Sequence, residues 1–304
     1  MSDHLQTIRT VGIAGLGLMG MASAQRLALA GFDLMGYDVD AGRAAAFVRA
    51  GETGRIAAHS LAQLAQRCDA IVLAVFDTDQ VEQVLFSQTG LITAARAAGR
   101  TPALVCISTC DPDRIAALGK RCSAQGLPFI ESPISGTSQT LDKGEAVGLV
   151  AGREQDLAWA APVLDALCPH RHVLGAPGNA ARAKLAVNLV LGLNRGAMAE
   201  GLQFAQQLGL DPQAFLQVLI GSAAYSRVME VKGPAMALRQ FDPPQSRVDQ
   251  SLKDFRLILA QAGARAQSLP FADVYVQLLE DCVQEGEGQF DNAAIIESIA
   301  RRCG

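Results

Sequence analysis

Short apolar runs alternate with longer segments of helical periodicity through the first half of the chain. The runs that we predict to be strands are residues 11–14, 33–37, 69–75, 104–107, 128–131 and 147–151. The first helical segment spans residues 19–30, and Gly31 ends it as a C-terminal glycine commonly does. Strands that alternate with helices in this way predict a mostly parallel, doubly wound α/β sheet.

The pattern changes after Gly178. No proline occurs between residues 180 and 208, so we predict one long helix there, about 40 Å in length. Its apolar residues cover nearly every side, which predicts a buried helix. Further helices and no clear strand follow. Glycine and proline cluster at residues 175–178, and we therefore predict two domains, residues 1–176 and an all-α domain of residues 177–304, joined by the long helix.

Composition limits the class of protein. Half of the 304 residues are hydrophobic and 18% are charged, which fits a compact α/β protein. The net charge is −4 and no long run of Lys and Arg occurs, which argues against nucleic-acid binding. The first ten residues are mostly polar, and no uncharged apolar stretch reaches the length of a membrane span. We expect a cytoplasmic protein with neither a signal peptide nor a membrane span.

Cysteine and histidine give no sign of a metal site or a disulfide framework. The seven cysteines are scattered, odd in number and without a C-x-x-C pair. Cys106 and Cys110 could together bind a metal, but no second cluster of Cys or His lies near them in the sequence. All four histidines precede the long helix, and each fits a structural or exposed position better than a catalytic one. We expect reduced thiols and no metal.

A glycine-rich loop follows the first strand and begins the first helix. Its sequence has the pattern G-x-G-x-x-G, in the context that dinucleotide binding requires. Gly15 permits a tight turn, Gly17 lets a pyrophosphate approach the backbone, and Gly20 lets the helix pack near the strand. The helix N-terminus then faces the phosphates. The loop predicts an N-terminal Rossmann-type domain whose cofactor-binding residues are Gly15, Leu16, Gly17, Leu18, Met19 and Gly20.

The end of the second strand indicates which dinucleotide binds. Asp38 follows Gly20 by 18 residues, where a carboxylate can accept hydrogen bonds from both ribose hydroxyls. It would repel a 2′-phosphate, and Asp40 would add to that repulsion. Arg43 could offset the effect, although its position fits a surface residue early in a helix. We therefore predict NAD as the cofactor, with NADP disfavoured.

Lys184 is the candidate for proton transfer. It lies in the first turns of the long apolar helix, where a partly desolvated lysine would have a lowered pKa and could exchange protons near neutrality. Asn188 follows four residues later and shares a face with Lys184, and Arg195 falls near the same face. An alternative fits these residues equally well: the aliphatic part of Lys184 packs at a helix end while its amine reaches water.

Four motifs, in order, resemble those of β-hydroxyacid dehydrogenases over nearly the whole chain. This family includes 3-hydroxyisobutyrate dehydrogenase, tartronate semialdehyde reductase and threonate dehydrogenases. The motifs are GLGLMG at 15–20, ESPISG at 131–136, the segment from Gly178 through Lys184 to Asn188, and KDF at 253–255. The resemblance implies a second domain like the C-terminal domain of 6-phosphogluconate dehydrogenase.

The resemblance also implies roles for single residues. Lys184 would be the catalytic acid/base, and Asn188 would orient the substrate. Lys253 would contact both the substrate and the nicotinamide. Thr109, in an Ile-Ser-Thr segment, would lie near the nicotinamide end of the cofactor.

The second motif implies a substrate-binding loop that departs from the family pattern. Ser135 and Gly136 would hold the substrate carboxylate. Thr137 stands where the family has a second glycine, so the substrate pocket is expected to be narrower or more polar. Ala180 and Val187 also replace usual residues of the lysine motif. None of these departures removes a proposed catalytic group.

Together these observations predict an NAD-dependent oxidoreductase that acts on CH–OH groups. A hydride would pass between a small β-hydroxy acid, such as 3-hydroxyisobutyrate, and the nicotinamide, with Lys184 handling the proton. One alternative is an imine reductase-like enzyme on the same fold, although such relatives generally replace the lysine. Another is a non-catalytic NAD-binding module. Apolar surface on the second domain suggests a homodimer or homotetramer.

Overall fold

The structure, a computed structural model, describes residues 7–51 and 54–302. His4 and Cys303 lie outside the described residues, and the expectations for them stay predictions. The chain divides into two compact units, one ending at Lys184 and the other beginning at Leu185. The predicted domain boundary between residues 176 and 177 stays a prediction.

A six-stranded parallel sheet forms the centre of the first unit. Its strands are β1 (Thr10–Ala14), β2 (Asp33–Tyr37), β3 (Arg55–Ala57), β4 (Ala70–Leu73), β5 (Ala103–Cys106) and β6 (Phe129–Glu131). They lie in the order β3-β2-β1-β4-β5-β6, and every neighbouring pair is parallel. The chain winds outward from β1 in both directions, which confirms the predicted doubly wound sheet.

Both faces of this sheet are buried. On β4, Val72 packs in one apolar cluster, while Ile71 and Leu73 pack in another, since successive side chains point to opposite faces. Burial on both faces explains why the central strands are continuous apolar runs. The edge strand β3 was not predicted, because it has three residues and its one large apolar side chain, Ile56, is 50% exposed.

Helices connect the strands of the first unit. They are α1 (Leu18–Leu29), α2 (Ala41–Arg49), α3 (Leu61–Arg67), α4 (Thr78–Phe86), α5 (Leu91–Ala97), α6 (Pro112–Ala124), α7 (Ser138–Asp142) and α8 (Glu154–Leu167). The helix starts follow local chemistry. At α6, for example, the Asp111 carboxylate accepts hydrogen bonds from the backbone N–H groups of Asp113 and Arg114, and Pro112 is the first helical residue.

A second, three-stranded sheet lies in the same unit. It consists of β7 (Ile134–Ser135), β8 (Val147–Val150) and β9 (His170–Val173). β7 pairs with β8 in antiparallel fashion, and β8 pairs with β9 in parallel. A bridge between Glu131 and Ala151 links the end of β6 to the residue after β8. The segment from Glu131 to Ser135 is thus fixed by hydrogen bonds at both ends.

Helices make up the second unit within the part of the chain that the structure describes. The long helix α9 (Asn179–Gln207) contains the division between the units, and it is followed by α10 (Pro212–Ile220), α11 (Arg227–Leu238), α12 (Val248–Gly263), α13 (Pro270–Gln284) and α14 (Ile295–Arg301). Two short 3₁₀ turns, Glu287–Gln289 and Asn292–Ala294, precede α14. The prediction of an all-α second part that begins with a long helix is confirmed.

Helix α9 is less buried than its sequence predicts. Leu185, Met198 and Leu202 belong to the apolar core of the second unit. Val190 and Phe204, however, are 60% and 65% exposed. The apolar pattern covers more of the helix surface than packing within this chain uses.

Among the described residues, no helix combines the length and apolarity that crossing a bilayer requires. Within 7–51 and 54–302, no three or more His, Cys, Asp or Glu side chains are grouped so that they could hold a metal ion. The cysteines of these ranges are free and buried.

Candidate active site

The carboxyl ends of the parallel strands bring three predicted site residues, Asp38, Gly15 and Thr109, to one edge of the sheet together with Glu131, which was not predicted. Asp38 follows β2, Gly15 follows β1, Thr109 comes three residues after β5, and Glu131 ends β6. The strands that these residues follow or end, β2, β1, β5 and β6, lie in that order across the sheet, with β4 between β1 and β5. The chain reverses its direction of winding at β1 and β4, and such a switch point is where open α/β sheets bind ligands.

The glycine loop leaves open space in front of helix α1. Gly15 has φ +96°, and a Cβ there would collide with the carbonyl oxygen of Ala74. A Cβ on Gly20 would collide with the carbonyl oxygen of Gly15. At Gly17, the N-cap of α1, an added Cβ would meet nothing within 4 Å, and no side chain caps the helix there. The residues therefore fit a pyrophosphate placed against the helix N-terminus.

Asp38 is held against this loop. Its Oδ2 accepts a hydrogen bond from the backbone N–H of Leu16 at 2.7 Å, and its Oδ1 accepts one from Asp40 at 2.9 Å. Arg43 lies beside both carboxylates, with its Nη1 3.8 Å from Asp38 and its Nε 3.7 Å from Asp40. Arg43 is thus more than a helix-surface residue, because its charge is shared between two acids at the ribose end of the loop.

Thr109 lies on the other side of the loop in the order of the strands. The preceding residue, Ser108, is buried, and its hydroxyl donates to the carbonyl oxygen of Val75 at 2.7 Å. This hydrogen bond joins the segment after β5 to the segment after β4. Thr109 is half-buried next to this junction, where the position of the nicotinamide end is expected.

The predicted substrate-binding loop is a tight turn into helix α7. Gly136 has φ +155°, and a Cβ there would lie 2.5 Å from Thr140 Oγ1. Thr137 is the N-cap of α7: its hydroxyl accepts from the backbone N–H of Thr140 at 3.3 Å, while Thr140 Oγ1 accepts from Thr137 at 2.8 Å. The threonine that replaces the family's glycine therefore stabilises the helix that follows Ser135 and Gly136.

Lys184 lies at the end of the first unit, in the second turn of α9, and is only 7% exposed. The start of this helix is held by Glu131, which is 2% exposed. Its carboxylate accepts hydrogen bonds from the backbone N–H of Gly178 and, at 3.2 Å, from that of Ala181. Burial raises the pKa of Glu131 to about 7, although these two hydrogen bonds and the charge of Arg182 lower it.

In the second unit, one carboxylate links two of the predicted site residues. Asp254 Oδ2 accepts a hydrogen bond from the Asn188 side-chain amide at 2.7 Å. Asp254 Oδ1 lies 2.9 Å from Lys253 Nζ. Asn188 is one turn beyond Lys184 in α9, on the same face. The sequence prediction named Asn188 and Lys253, and the structure adds the acid between them.

Sequence reasoning gave no role to Asp254 or Glu131. Glu131 belongs to the motif at 131–136 and Asp254 to the motif at 253–255, and the sequence around each indicates that it could have a role. Asp254 directly follows the predicted Lys253, and Glu131 is an acid at the end of a buried apolar strand, where an unpaired charge would be costly. The described histidines His59, His170 and His172 are exposed, as expected.

The fold and this edge of the sheet define a dinucleotide-binding protein. Residues 10–175 match the sequence model of the NAD binding domain of 6-phosphogluconate dehydrogenase. Residues 178–299 match that of the NAD-binding domain of NADP-dependent 3-hydroxyisobutyrate dehydrogenase. The chain therefore has the domains that bind NAD(P).

Individual relatives are similar over almost their full length. The chain is 30% identical over 289 residues to 2-hydroxy-3-oxopropionate reductase of Escherichia coli, covering 95% of this chain and 96% of the relative. It is also 30% identical over 290 residues to L-threonate dehydrogenase of Cupriavidus necator, covering 95% of each. The crystal structure of 3-hydroxyisobutyrate dehydrogenase from Salmonella typhimurium is similar with a TM-score of 0.85 and 27% identity, covering 95% of this chain and 99% of that one.

The chain belongs to the β-hydroxyacid dehydrogenase family. It is an NAD(P)-dependent oxidoreductase of small hydroxy acids. The resemblance that the four sequence motifs indicated is thereby confirmed.

Proposed function

We propose that the protein transfers a hydride between a small β-hydroxy acid and the nicotinamide of NAD, with Lys184 as the acid/base. The observation that carries this proposal is the burial of Lys184, a residue that is 7% exposed, in the unit that holds the glycine loop. Burying a lysine is costly, and a buried lysine that can exchange protons is a common catalytic group. Relatives named for 2-hydroxy-3-oxopropionate and L-threonate support compact substrates that carry a carboxylate.

Residues of this chain bind the substrate and transfer its proton. When bound, NAD supplies the hydride chemistry. Lys184 takes the proton of the substrate hydroxyl during oxidation and returns it to the carbonyl oxygen during reduction. Ser135 and Gly136 bind the substrate carboxylate, which fixes the carbon that faces the nicotinamide.

Asn188 orients the reacting oxygen. Because a carboxylate only accepts hydrogen bonds, the Asn188 amide nitrogen must face Asp254, and its amide oxygen is turned away from that acid. The amide oxygen then accepts from the substrate hydroxyl. Lys253 pairs with the same carboxylate, and we propose for it the contact with substrate and nicotinamide that the family resemblance implies.

We further propose that NAD is preferred over NADP. The Asp38 carboxylate lies against the glycine loop, and Asp40 lies nearby. A 2′-phosphate would therefore meet two carboxylates and one guanidinium, that of Arg43. The second half of the chain matches a domain named for an NADP-dependent enzyme, but the ribose-end residues lie in the first half. Their net negative charge favours the free ribose hydroxyls of NAD.

The alternatives fit the described residues less well. An imine reductase-like enzyme would have no need of Lys184 as hydroxyl base, and a non-catalytic module would have no need of Lys184, Asn188 and Lys253 together. All three are present, and two of them share Asp254.

We propose a homodimer or homotetramer in the cytoplasm. Large apolar side chains of the second unit are exposed, among them Val190, Phe204, Val218 and Phe271, which is 76% exposed. Surfaces of this kind commonly mark subunit contacts. Free cysteines are typical of a reducing compartment.

The test is a substrate panel. Hydroxy acids of three to five carbons, including L-threonate and 3-hydroxyisobutyrate, are assayed with NAD and NADP. In the reducing direction, 2-hydroxy-3-oxopropionate and a set of cyclic imines are assayed. We expect turnover of at least one substrate, faster with the NAD pair. Turnover of cyclic imines alone would favour an imine reductase, and cofactor binding without any turnover would favour a binding module. Sedimentation at the monomer mass of 31.9 kDa would contradict the proposed assembly.

A further inference from the structure

Glu131 has an environment that the proposed mechanism does not use. Its main chain is fixed on one side, because its N–H and C=O both hydrogen bond to Ala151 at 2.9 Å. Its carboxylate is fixed on the other side by the N–H groups of Gly178 and Ala181. A single buried residue thus connects the end of the central sheet to the start of helix α9.

The first N–H groups of a helix have no partner within the helix. At α9 the Glu131 carboxylate takes two of them, and a negative charge at this end also interacts favourably with the helix dipole. Ala181 and Lys184 are three residues apart, so they lie on one side of the helix, one above the other. The contact that holds Ala181 therefore also sets where the Lys184 turn lies relative to β6.

We propose that Glu131 is a positioning residue for Lys184, whose ionised carboxylate fixes the first turns of α9 and whose protonation loosens them. This inference rests on the proposed role of Lys184 in proton transfer. A protonated carboxyl donates from one oxygen and has one strong acceptor left. It can no longer hold both N–H groups as charge-assisted acceptors.

The surroundings place this change near neutral pH. Burial raises the pKa of Glu131 to about 7, opposed by the two backbone hydrogen bonds and by Arg182. Arg182 and Lys184 are the charged groups on the adjacent turns of α9, and Arg182 also pairs with Asp113 at 2.9 Å. From β5, the neighbouring group is the Cys106 thiol, whose pKa is raised well above its usual value, so it stays neutral across this range. The Glu131 carboxyl therefore changes its charge in this range, beside the first turns of α9.

The first experiment measures activity as a function of pH. Glu131→Gln keeps the size of the side chain and removes the charge, Glu131→Asp keeps the charge with a shorter reach, and Glu154→Gln is a matched control at the exposed start of α8. We expect Glu131→Gln to lower kcat about tenfold or more, to leave the dissociation constant for NADH nearly unchanged, and to abolish the part of the pH profile that rises through neutrality. Glu131→Asp should recover part of kcat and that rise, and Glu154→Gln should match the wild type.

The second experiment needs no catalysis. Hydrogen–deuterium exchange of the peptide that contains residues 176–188 is followed above and below neutrality and corrected for intrinsic exchange. The wild type should be better protected above neutrality, and Glu131→Gln should lose that pH dependence while the Glu154→Gln peptide retains it.

The two experiments separate the two proposals. If the wild type turns over no hydroxy acid, the proposed function fails, and exchange still decides whether Glu131 holds α9. An unchanged pH profile and unchanged exchange in Glu131→Gln would overturn the positioning role. A general loss of NADH binding and of the folded state in both Glu131 variants, with pH-independent exchange in the wild type, would overturn it as well.

Discussion

The side-chain amide of Asn188 donates a hydrogen bond to Asp254 Oδ2 at 2.7 Å. The other oxygen of this carboxylate lies 2.9 Å from the Lys253 amine. One acid therefore fixes both the direction of the Asn188 amide and the location of a cation. Asn188 is therefore held from another helix, because Asp254 lies in α12, whereas Lys253 pairs with its own neighbour in α12.

This relationship predicts the effect of changing Asp254. In Asp254→Ala, Asn188 loses its acceptor and Lys253 its ion pair, so the substrate would be held less well in the reacting orientation. We expect kcat/KM to fall about 10²-fold, with Asp254→Asn intermediate, because its amide oxygen can still accept from Asn188. Asp273→Asn, an exposed acid of α13, is the control. Equal activity of Asp254→Ala and wild type would exclude the positioning role.

Replacing Lys184 removes the proposed proton donor and acceptor. We expect Lys184→Ala to lower kcat by about 10² or more while NADH binding stays nearly intact. Lys120→Ala, an exposed lysine of α6, should have wild-type kinetics. Steady-state turnover and fluorescence titration with NADH provide the two measurements. A Lys184→Ala enzyme with normal kcat would rule out the acid/base role.

The cofactor preference is predicted to depend on the charge of Asp38. Asp38→Asn retains an oxygen that can accept from the Leu16 N–H but removes the repulsion of a 2′-phosphate. We therefore expect the ratio of kcat/KM for NAD to that for NADP to fall about tenfold. Asp40→Asn, which is more exposed, should change the ratio less. A ratio in Asp38→Asn equal to that of the wild type would remove Asp38 from the ribose contact.

Most of the fold follows from local sequence pattern. The strand β4 is a continuous apolar run, and Asp111 with Pro112 marks the start of α6, so both could be predicted from nearest neighbours alone. The two-residue strand β7 and the edge strand β3 could not, because their pairing depends on residues distant in sequence and they carry too few apolar positions.

In the candidate site, too, some features could be predicted from the sequence and others could not. The glycine loop and Asp38 have a fixed spacing that the sequence displays directly. The contacts of Glu131 with Gly178 and of Asp254 with Asn188 join residues 47 and 66 positions apart. Such pairs follow from tertiary packing, which no periodicity in one sequence reveals.

Removing one partner of a buried ion pair is predicted to destabilise the second unit strongly. Lys232 Nζ lies 2.8 and 2.6 Å from the two oxygens of Asp291, and burial lowers the pKa of Lys232 to about 8. Lys232→Met would leave a buried carboxylate without its cation. We expect a loss of about 3–5 kcal/mol in the free energy of unfolding, measured by urea denaturation.

The matching control is an exposed pair of the same unit. Arg256 lies 2.8 Å from Glu280, with an Arg256 side chain that is 61% exposed. Arg256→Met should cost less than about 1 kcal/mol. The double variant Lys232→Met, Asp291→Asn should be more stable than the sum of its single changes implies, since no lone charge remains. Additive losses would show that the two side chains act independently.

Glu131 is predicted to affect local order and global stability in opposite directions as pH rises. Burial raises its pKa from 4.5 to about 7 in the folded state, so between these values the folded chain retains a proton that the unfolded chain has released. The free energy of unfolding therefore falls as pH rises through this range, by about 3 kcal/mol in total.

Glu131→Gln lacks this contribution. The free energy of unfolding of Glu131→Gln, measured by urea denaturation, should therefore rise relative to that of the wild type from about pH 5 to about pH 8. Glu154→Gln should have the same pH dependence as the wild type. The ionised carboxylate nevertheless holds the N–H groups of α9 more firmly, so exchange there slows while the whole chain becomes easier to unfold. Slower exchange in α9 together with a smaller free energy of unfolding as the pH rises is therefore the expected result, and pH-independent exchange in α9 would contradict it.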